Sequence, residues 1–323
     1  MPNHPGTGKR LLRVGPRGFC AGVVRAVDIV DLALQAYRPP VYVHHEIVHN
    51  RYVVDGLRQR GAIFVEAVED VPAGSVLIFS AHGVPPAARE EAALRKLRVI
   101  DATCPLVTKV HLEARKFARE GRTIILIGHR DHQEIVGTSG EAPQQTVVVD
   151  SVEAVDRLVV KDPQRLAYLT QTTLSLYDTK EIVARLRERF PAIVGPASDD
   201  ICYATQNRQE AVESVARDVQ LILVVGSPNS SNSNRLVEVA QRCGVAARLI
   251  DDASGIRPEW LEGIASVGLT AGASAPEMLV EQVSQRLAAF GFTDQQDIDL
   301  IREDVRFILP AELAHIAPAS AKA

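Results

Sequence analysis

The sequence predicts an α/β protein of three similar parallel-sheet α/β domains about a pseudo-threefold axis, and three observations predict it. Short apolar, β-like runs alternate with helical patterns along most of the 323 residues, as expected of parallel strands joined by crossover helices. The alternation repeats three times, and a cysteine occupies the same place in each cycle. A hydrophobic content of 46% beside 24% charged residues is ordinary for a soluble chain able to bury a large core or two to three smaller ones.

Cys20, Cys104 and Cys202 open the three cycles. Each follows a short β-like or loop segment, at 11–15, 97–100 and 192–194, and precedes a helical pattern, at 22–35, 105–119 and 205–218. A β-rich run comes next in each cycle, at 40–46, 122–128 and 219–226, and opens into a polar loop containing His49, then His129 to Glu134, then Ser227 to Asn234. Second runs are expected at 62–66, 146–150 and 247–251, and third runs at 75–80, 166–170 and 265–270. The third runs end in Ala81-His82-Gly83, Gln171-Thr172-Thr173 and Ala271-Gly272-Ala273-Ser274.

The domains are expected at 22–103, 104–201 and 202–290, with flexible ends at 1–8 and 317–323. The strand before Cys104 closes the first unit and that before Cys202 closes the second. By the same logic the N-terminal strand 11–15 joins the third. In parallel sheets polar groups gather at the carboxyl ends of the strands, so domains meeting edge to edge would bring three thiolates to one point.

Composition narrows the function. A formal net charge of −4 with scattered basic residues lacks the footprint of a general nucleic-acid binder. The longest apolar runs are strand-sized and the N-terminus lacks the apolar block of a signal peptide, so a cytoplasmic protein with no membrane association is expected. Four cysteines in such a compartment favour metal or redox chemistry over disulfides.

No CxxC spacing is present, which excludes a conventional zinc knuckle or ferredoxin-type run. On composition alone the cysteines read equally well as small buried apolar residues. Matching placement at three helix N-termini changes that reading, because the partial positive charge there stabilises thiolates and an anionic centre. Three protein sulfurs would leave one iron of a [4Fe-4S] cube open to an exogenous ligand; zinc with three cysteines and a water is the physical competitor. Cys243 has no counterpart in the other cycles and reads as structural.

Several polar residues suit a phosphorylated substrate. The run Gly226 to Asn234, with Ser230, Ser231 and Asn232, places hydroxyls and amides ahead of a helix expected at 235–242, though such a loop is often only a turn and cap. It holds no Walker lysine and no GxGxxG. His49, His82 and His132 fall in the strand-end loops and suit phosphate recognition, although loop histidines are commonly just solvated. Glu134 could donate the proton that a reductive dehydration needs, although a single glutamate is more commonly a surface acid, and Thr172 could relay the proton or cap the following helix.

Taken in order, Pro16-Arg-Gly-Phe-Cys-Ala-Gly22, His49-Asn-Arg-Tyr52, Ser80-Ala-His-Gly-Val84, Asp101-Ala-Thr-Cys-Pro105, Thr170-Gln-Thr-Thr173, Cys202-Tyr-Ala-Thr205, Ser230-Ser-Asn-Ser-Asn234 and Ala271-Gly-Ala-Ser274 resemble the 4-hydroxy-3-methylbut-2-enyl diphosphate reductase family over about 11–287. The resemblance implies a pseudo-threefold trefoil of the three domains around a central cluster, one [4Fe-4S] per chain, on Cys20, Cys104 and Cys202. It implies a reductive dehydration at the open iron, giving isopentenyl and dimethylallyl diphosphates, with electrons from an external donor such as ferredoxin or flavodoxin. It further implies a diphosphate clamp of His49, His82, Ser230, Ser231, Asn232 and Ser274, a proton source in Glu134, and Thr172 and His132 beside the substrate hydroxyl. The chain departs from the family's usual His-Pro-Glu in reading His132-Gln133-Glu134, which frees φ at 133 and restores a backbone donor. A three-thiolate zinc hydrolase and a non-enzymatic iron–sulfur redox sensor are the alternatives.

Overall fold

Runs rich in Val, Ile and Leu become the strands of three sheets, and every pairing within them is parallel. The computed structural model describes residues 8–314, which form two compact units. One unit holds 8–20, His49–Arg51 and Tyr203–Val305; the other holds Ala21–Val48, Tyr52–Cys202 and 306–314. The flexible ends expected at 1–8 and 317–323 lie, except for Gly8, outside the described residues.

In chain order, β1 (Arg10–Gly15) is followed by α1 (Ala21–Tyr37), β2 (Val41–His44), α2 (Arg51–Gln59), β3 (Ala62–Val65), β4 (Val76–Phe79), α3 (Pro86–Leu94) and β5 (Arg98–Asp101). The second cycle is α4 (Pro105–Arg119), β6 (Thr123–Ile127), α5 (Gln133–Gly140), β7 (Thr146–Val149), α6 (Val152–Asp156), β8 (Leu166–Thr170) and α7 (Leu176–Arg189). The third is α8 (Tyr203–Val215), β9 (Leu221–Val225), α9 (Ser231–Arg242), β10 (Ala246–Ile250), β11 (Ser266–Ala271), α10 (Glu277–Ala289) and β12 (Asp294–Asp299), with α11 (Ala311–Ala314) beyond it.

The unit built from the first two cycles contains the sheets β3-β2-β4-β5 and β7-β6-β8. Strands β4 and β8 are buried at every residue, because helices cover both faces. Alternation then divides the side chains. Ile125, Ile127, Leu166 and Tyr168 pack with Ile182 and Leu186 of α7, while Ile124, Leu126, Ala167 and Leu169 pack with Val110, Ala114 and Phe117 of α4. Helix α4 buries Val107, Val110, Ala114 and Phe117, the spacing of one helical face. Cys104 stands at its N-cap, followed by Pro105, whose fixed φ suits the first helical position.

The other unit contains the sheet β10-β9-β11-β1-β12. The N-terminal strand pairs with β11, as the repeat predicts, and Leu11 and Leu12 face opposite cores. Leu11 joins Leu223, Leu269 and Phe292, whereas Leu12 and Val14 join Ile222, Val224 and Leu236. Strand β12 was not expected. Its sequence, Asp-Gln-Gln-Asp-Ile-Asp, lacks an apolar face because it is an exposed edge strand on β1.

Two further differences are local. The segment 192–194 contributes one parallel bridge, Val194 to Ala167, rather than a strand, since Pro191 and Gly195 interrupt it. Helix α9 starts at Ser231, ahead of the expected 235, because Ser230 caps it by accepting the Ser233 N–H at 3.3 Å. Among the described residues no helix is long and apolar enough to cross a membrane.

Leu11 is fully buried between β11 and β12, so Leu11→Ala should cost about 2–5 kcal/mol. Urea unfolding measures this; a loss near zero would mean that the N-terminal strand is not part of that sheet.

Candidate functional site

Each cycle ends its third strand in a loop that accepts a hydrogen bond from a cysteine amide. Cys104 N–H donates to Ala81 O at 3.0 Å, Cys202 N–H to Thr172 O at 3.0 Å, and Cys20 N–H to Ala273 O at 3.2 Å. Each cysteine immediately precedes a helix, α1, α4 or α8. All three are thiols outside any disulfide and half-buried. The donor set therefore fits a metal centre chemically: soft sulfur ligands, each at a helix N-terminus with its main chain fixed. Cys243 is also outside any disulfide but caps the C-terminus of α9 and packs on the Val239 core, where burial raises its thiol pKa.

In the unit carrying Cys104 and Cys202, α5 positions the proton-bearing groups. His132 caps it, Nδ1 accepting the Glu134 N–H at 3.1 Å, which leaves the ring's proton on Nε2 when neutral. Glu134 thus sits in the first helical turn rather than in a loop. Gln133 occupies the first helical position, where a backbone N–H has no intrahelical partner, so replacing the family's proline leaves the turn intact. The His82 and His132 rings meet edge-on with centroids 5.8 Å apart.

Glu134 is buried, and both its oxygens face Thr172: Oε1 accepts the Thr172 N–H at 2.6 Å and Oε2 pairs with the hydroxyl at 3.0 Å. Thr172 does not cap α7, whose cap is Ser175. Burial pushes the Glu134 carboxyl up to about 7, against the two Thr172 hydrogen bonds, which favour the carboxylate; the charge of Asp200 adds to the rise. Glu134 is thereby poised to exchange a proton near neutrality.

The other unit gathers His49, Ser230, Ser231, Asn232 and Ser274 around the N-terminus of α9 and the loop after β11. Ser274 Oγ donates to His49 O at 2.8 Å, and Asn229 Nδ2 lies 3.5 Å from His49 Nδ1. Asn232 Oδ1 accepts the Ala273 N–H at 2.8 Å, so this side chain braces the loop whose carbonyl holds Cys20. Ser231 and Asn232 lie in the first turn of α9, where helix N–H groups and their side chains could together hold an anion. Close approach shapes this turn: a Cβ on Gly226 or Gly272 would meet Ser233 Oγ at 2.2 or 2.0 Å.

Some supporting residues have no signature in the sequence. Lys109 on α4 donates to Asp200 Oδ1 at 3.0 Å, and Asp200 Oδ2 accepts the Thr170 N–H at 2.9 Å. His111, buried on α4, pairs with Glu141 at 2.9 Å and lies against the space beside Gly83 and Gly137. Its place on the buried face of α4 was readable; its partners, distant in sequence, were not.

The raised carboxyl has a consequence for stability. An unfolded chain releases the Glu134 proton near 4.5, whereas the folded chain keeps it to about 7, so folded stability falls as pH rises between those values. Melting the metal-free protein across that window should show a steeper loss for the wild type than for Glu134→Gln, on the order of 2–3 kcal/mol in total. Equal slopes would contradict the raised pKa.

A reductase of Mycolicibacterium vanbaalenii, 4-hydroxy-3-methylbut-2-enyl diphosphate reductase, is 56% identical over 95% of this chain and 91% of its own. The enzyme of that name from Aromatoleum aromaticum is 57% identical over 94% and 98%. The solved structure of the E-1-hydroxy-2-methyl-but-2-enyl-4-diphosphate reductase from Plasmodium falciparum is 41% identical, covers 96% of this chain and 98% of its own, and superposes with a TM-score of 0.93. The family described as LytB protein matches residues 11–288, and the chain belongs to it.

Proposed function

We propose that this chain reduces (E)-4-hydroxy-3-methylbut-2-enyl diphosphate to isopentenyl and dimethylallyl diphosphates, acting in the cytoplasm with one [4Fe-4S] cluster held by Cys20, Cys104 and Cys202. The observation that carries the reading is the double use of Thr172. Its carbonyl accepts the Cys202 amide, while its N–H and hydroxyl hold the buried Glu134 carboxyl. A proton donor is thereby anchored to the same residue as a thiolate-bearing segment.

The reaction breaks the allylic C–O bond; two electrons and two protons enter, water leaves, and one proton ends on carbon. The cluster, when bound, supplies the electrons and a Lewis-acid iron. Glu134 gives the proton that turns the departing hydroxyl into water, with the Thr172 hydroxyl orienting the carboxyl. His132, its Nδ1 occupied by the α5 amide, offers Nε2–H toward the substrate's hydroxyl end. His49, His82, Ser230, Ser231, Asn232 and Ser274 take the diphosphate, where neutral donors and the α9 N-terminus suit a highly charged anion. The electrons come from an external donor such as ferredoxin or flavodoxin, as the family resemblance implies.

Anaerobic purification with iron and sulfide analysis tests the cluster. Iron and sulfide should both be present in the wild type and fall in Cys20→Ser, Cys104→Ser and Cys202→Ser, but not in Cys243→Ser. Zinc in place of iron would overturn the reading. Glu134→Gln should keep the iron yet lose at least two orders of magnitude in turnover of the allylic diphosphate with reduced methyl viologen. Near-normal turnover would remove Glu134 from the chemistry, and an iron-loaded wild type without turnover would favour a redox sensor.

A further inference from the structure

The helix after each cysteine carries a cation in its second turn, and each cation binds main-chain carbonyls just before a different cysteine. Arg25 of α1, the helix after Cys20, donates from Nη1 to Thr103 O at 3.1 Å, from Nη2 to Asp101 O at 3.5 Å and from Nε to Ile308 O at 2.8 Å. Thr103 directly precedes Cys104. Lys109 of α4, the helix after Cys104, donates to Ser198 O at 2.6 Å, Asp199 O at 3.1 Å and Asp200 Oδ1 at 3.0 Å. That segment leads into Cys202. Arg208 of α8, the helix after Cys202, donates from Nη2 to Gly18 O at 2.8 Å, closing the order at the turn before Cys20.

We propose that Arg25, Lys109 and Arg208 are positioning residues acting in cyclic order, each holding the turn of the next cysteine while its charge favours the loaded, anionic centre. The proposal deepens the cluster reading and rests on it for the charge effect.

Arg208 shows why the charge matters. It is fully buried, although two carbonyls, Gly18 O and Ala204 O at 2.9 Å, could be satisfied by a neutral donor. Its carboxylate partner is Glu303, at 3.0 and 3.2 Å from Nη1, which also accepts from Asn207 Nδ2 at 3.0 Å. Among the described residues its Nε has no hydrogen-bond partner. A fixed cation in a low-dielectric interior lowers the cost of adding an electron to a nearby anionic group, and Glu303 opposes it. Glu303 and Ile308 lie beyond the residues that match the family, so the C-terminal segment partners two of the three cations.

Hydrogen exchange on the full-length chain, read by mass spectrometry, tests the positioning. Arg25→Gln should speed exchange in the peptide containing Cys104, Lys109→Met in that containing Cys202, and Arg208→Gln in that containing Cys20. Uniform acceleration at all three cysteines, or none, overturns the proposal. Redox titration of the iron-loaded chain tests the charge: each of these substitutions should lower the midpoint potential, Arg208→Lys should stay near the wild type, and Glu303→Gln should raise it. Unchanged potentials, or a downward shift in Glu303→Gln, overturn it. If Arg208→Gln fails to fold, the Arg25, Lys109 and Glu303 variants decide. A wild type that binds no iron overturns the cluster reading and the charge effect with it, while the exchange pattern still judges the positioning.

Discussion

The bond from each cysteine amide to the loop after the last strand of a cycle is the constraint on which the rest depends. Cys104 reaches Ala81, Cys202 reaches Thr172 and Cys20 reaches Ala273. These bonds tie a helix N-terminus to the carboxyl edge of a parallel sheet, where loops carry polar residues without disturbing the buried strands. One acceptor, Thr172, and the residues that follow the other two, His82 and Ser274, are those proposed to meet the substrate. Backbone pairing that places each cysteine therefore also places these candidates.

Glu134 shows how burial and hydrogen bonding compete at such an edge. Two bonds from Thr172 favour the carboxylate, yet removal from water outweighs them and carries the carboxyl to about 7. A surface glutamate with the same two bonds would stay ionised and could donate nothing at neutral pH. The short α5 segment produces this balance by turning Glu134 inward from a helix capped by His132.

Helix N-termini recur in three roles: beside the cysteines, under His132 and Glu134, and in the Ser230 to Ser233 turn. In each the same unsatisfied N–H groups are put to different use. At α9 they stand beside the residues proposed to take the diphosphate, and at α5 they orient an imidazole. At α1, α4 and α8 they favour thiolate sulfur, while cations in the second turn brace the neighbouring segments.

The three α/β cycles, the positions of the cysteines and the joining of the N-terminal strand to the last sheet were legible in the sequence. Hydrophobic periodicity and helix punctuation are local, and a threefold repeat lets one cycle check another. The site residues were legible as candidates by motif. Tertiary structure decided what they touch: that Glu134 lies in a helix and is buried against Thr172, that Asn232 braces the Ala273 loop, and that Asp294–Asp299 adds an edge strand with no apolar signature. It alone brought Arg208 to Gly18 and Glu303, because burial and long-range pairing depend on residues far apart in the chain, and no local pattern encodes such partners.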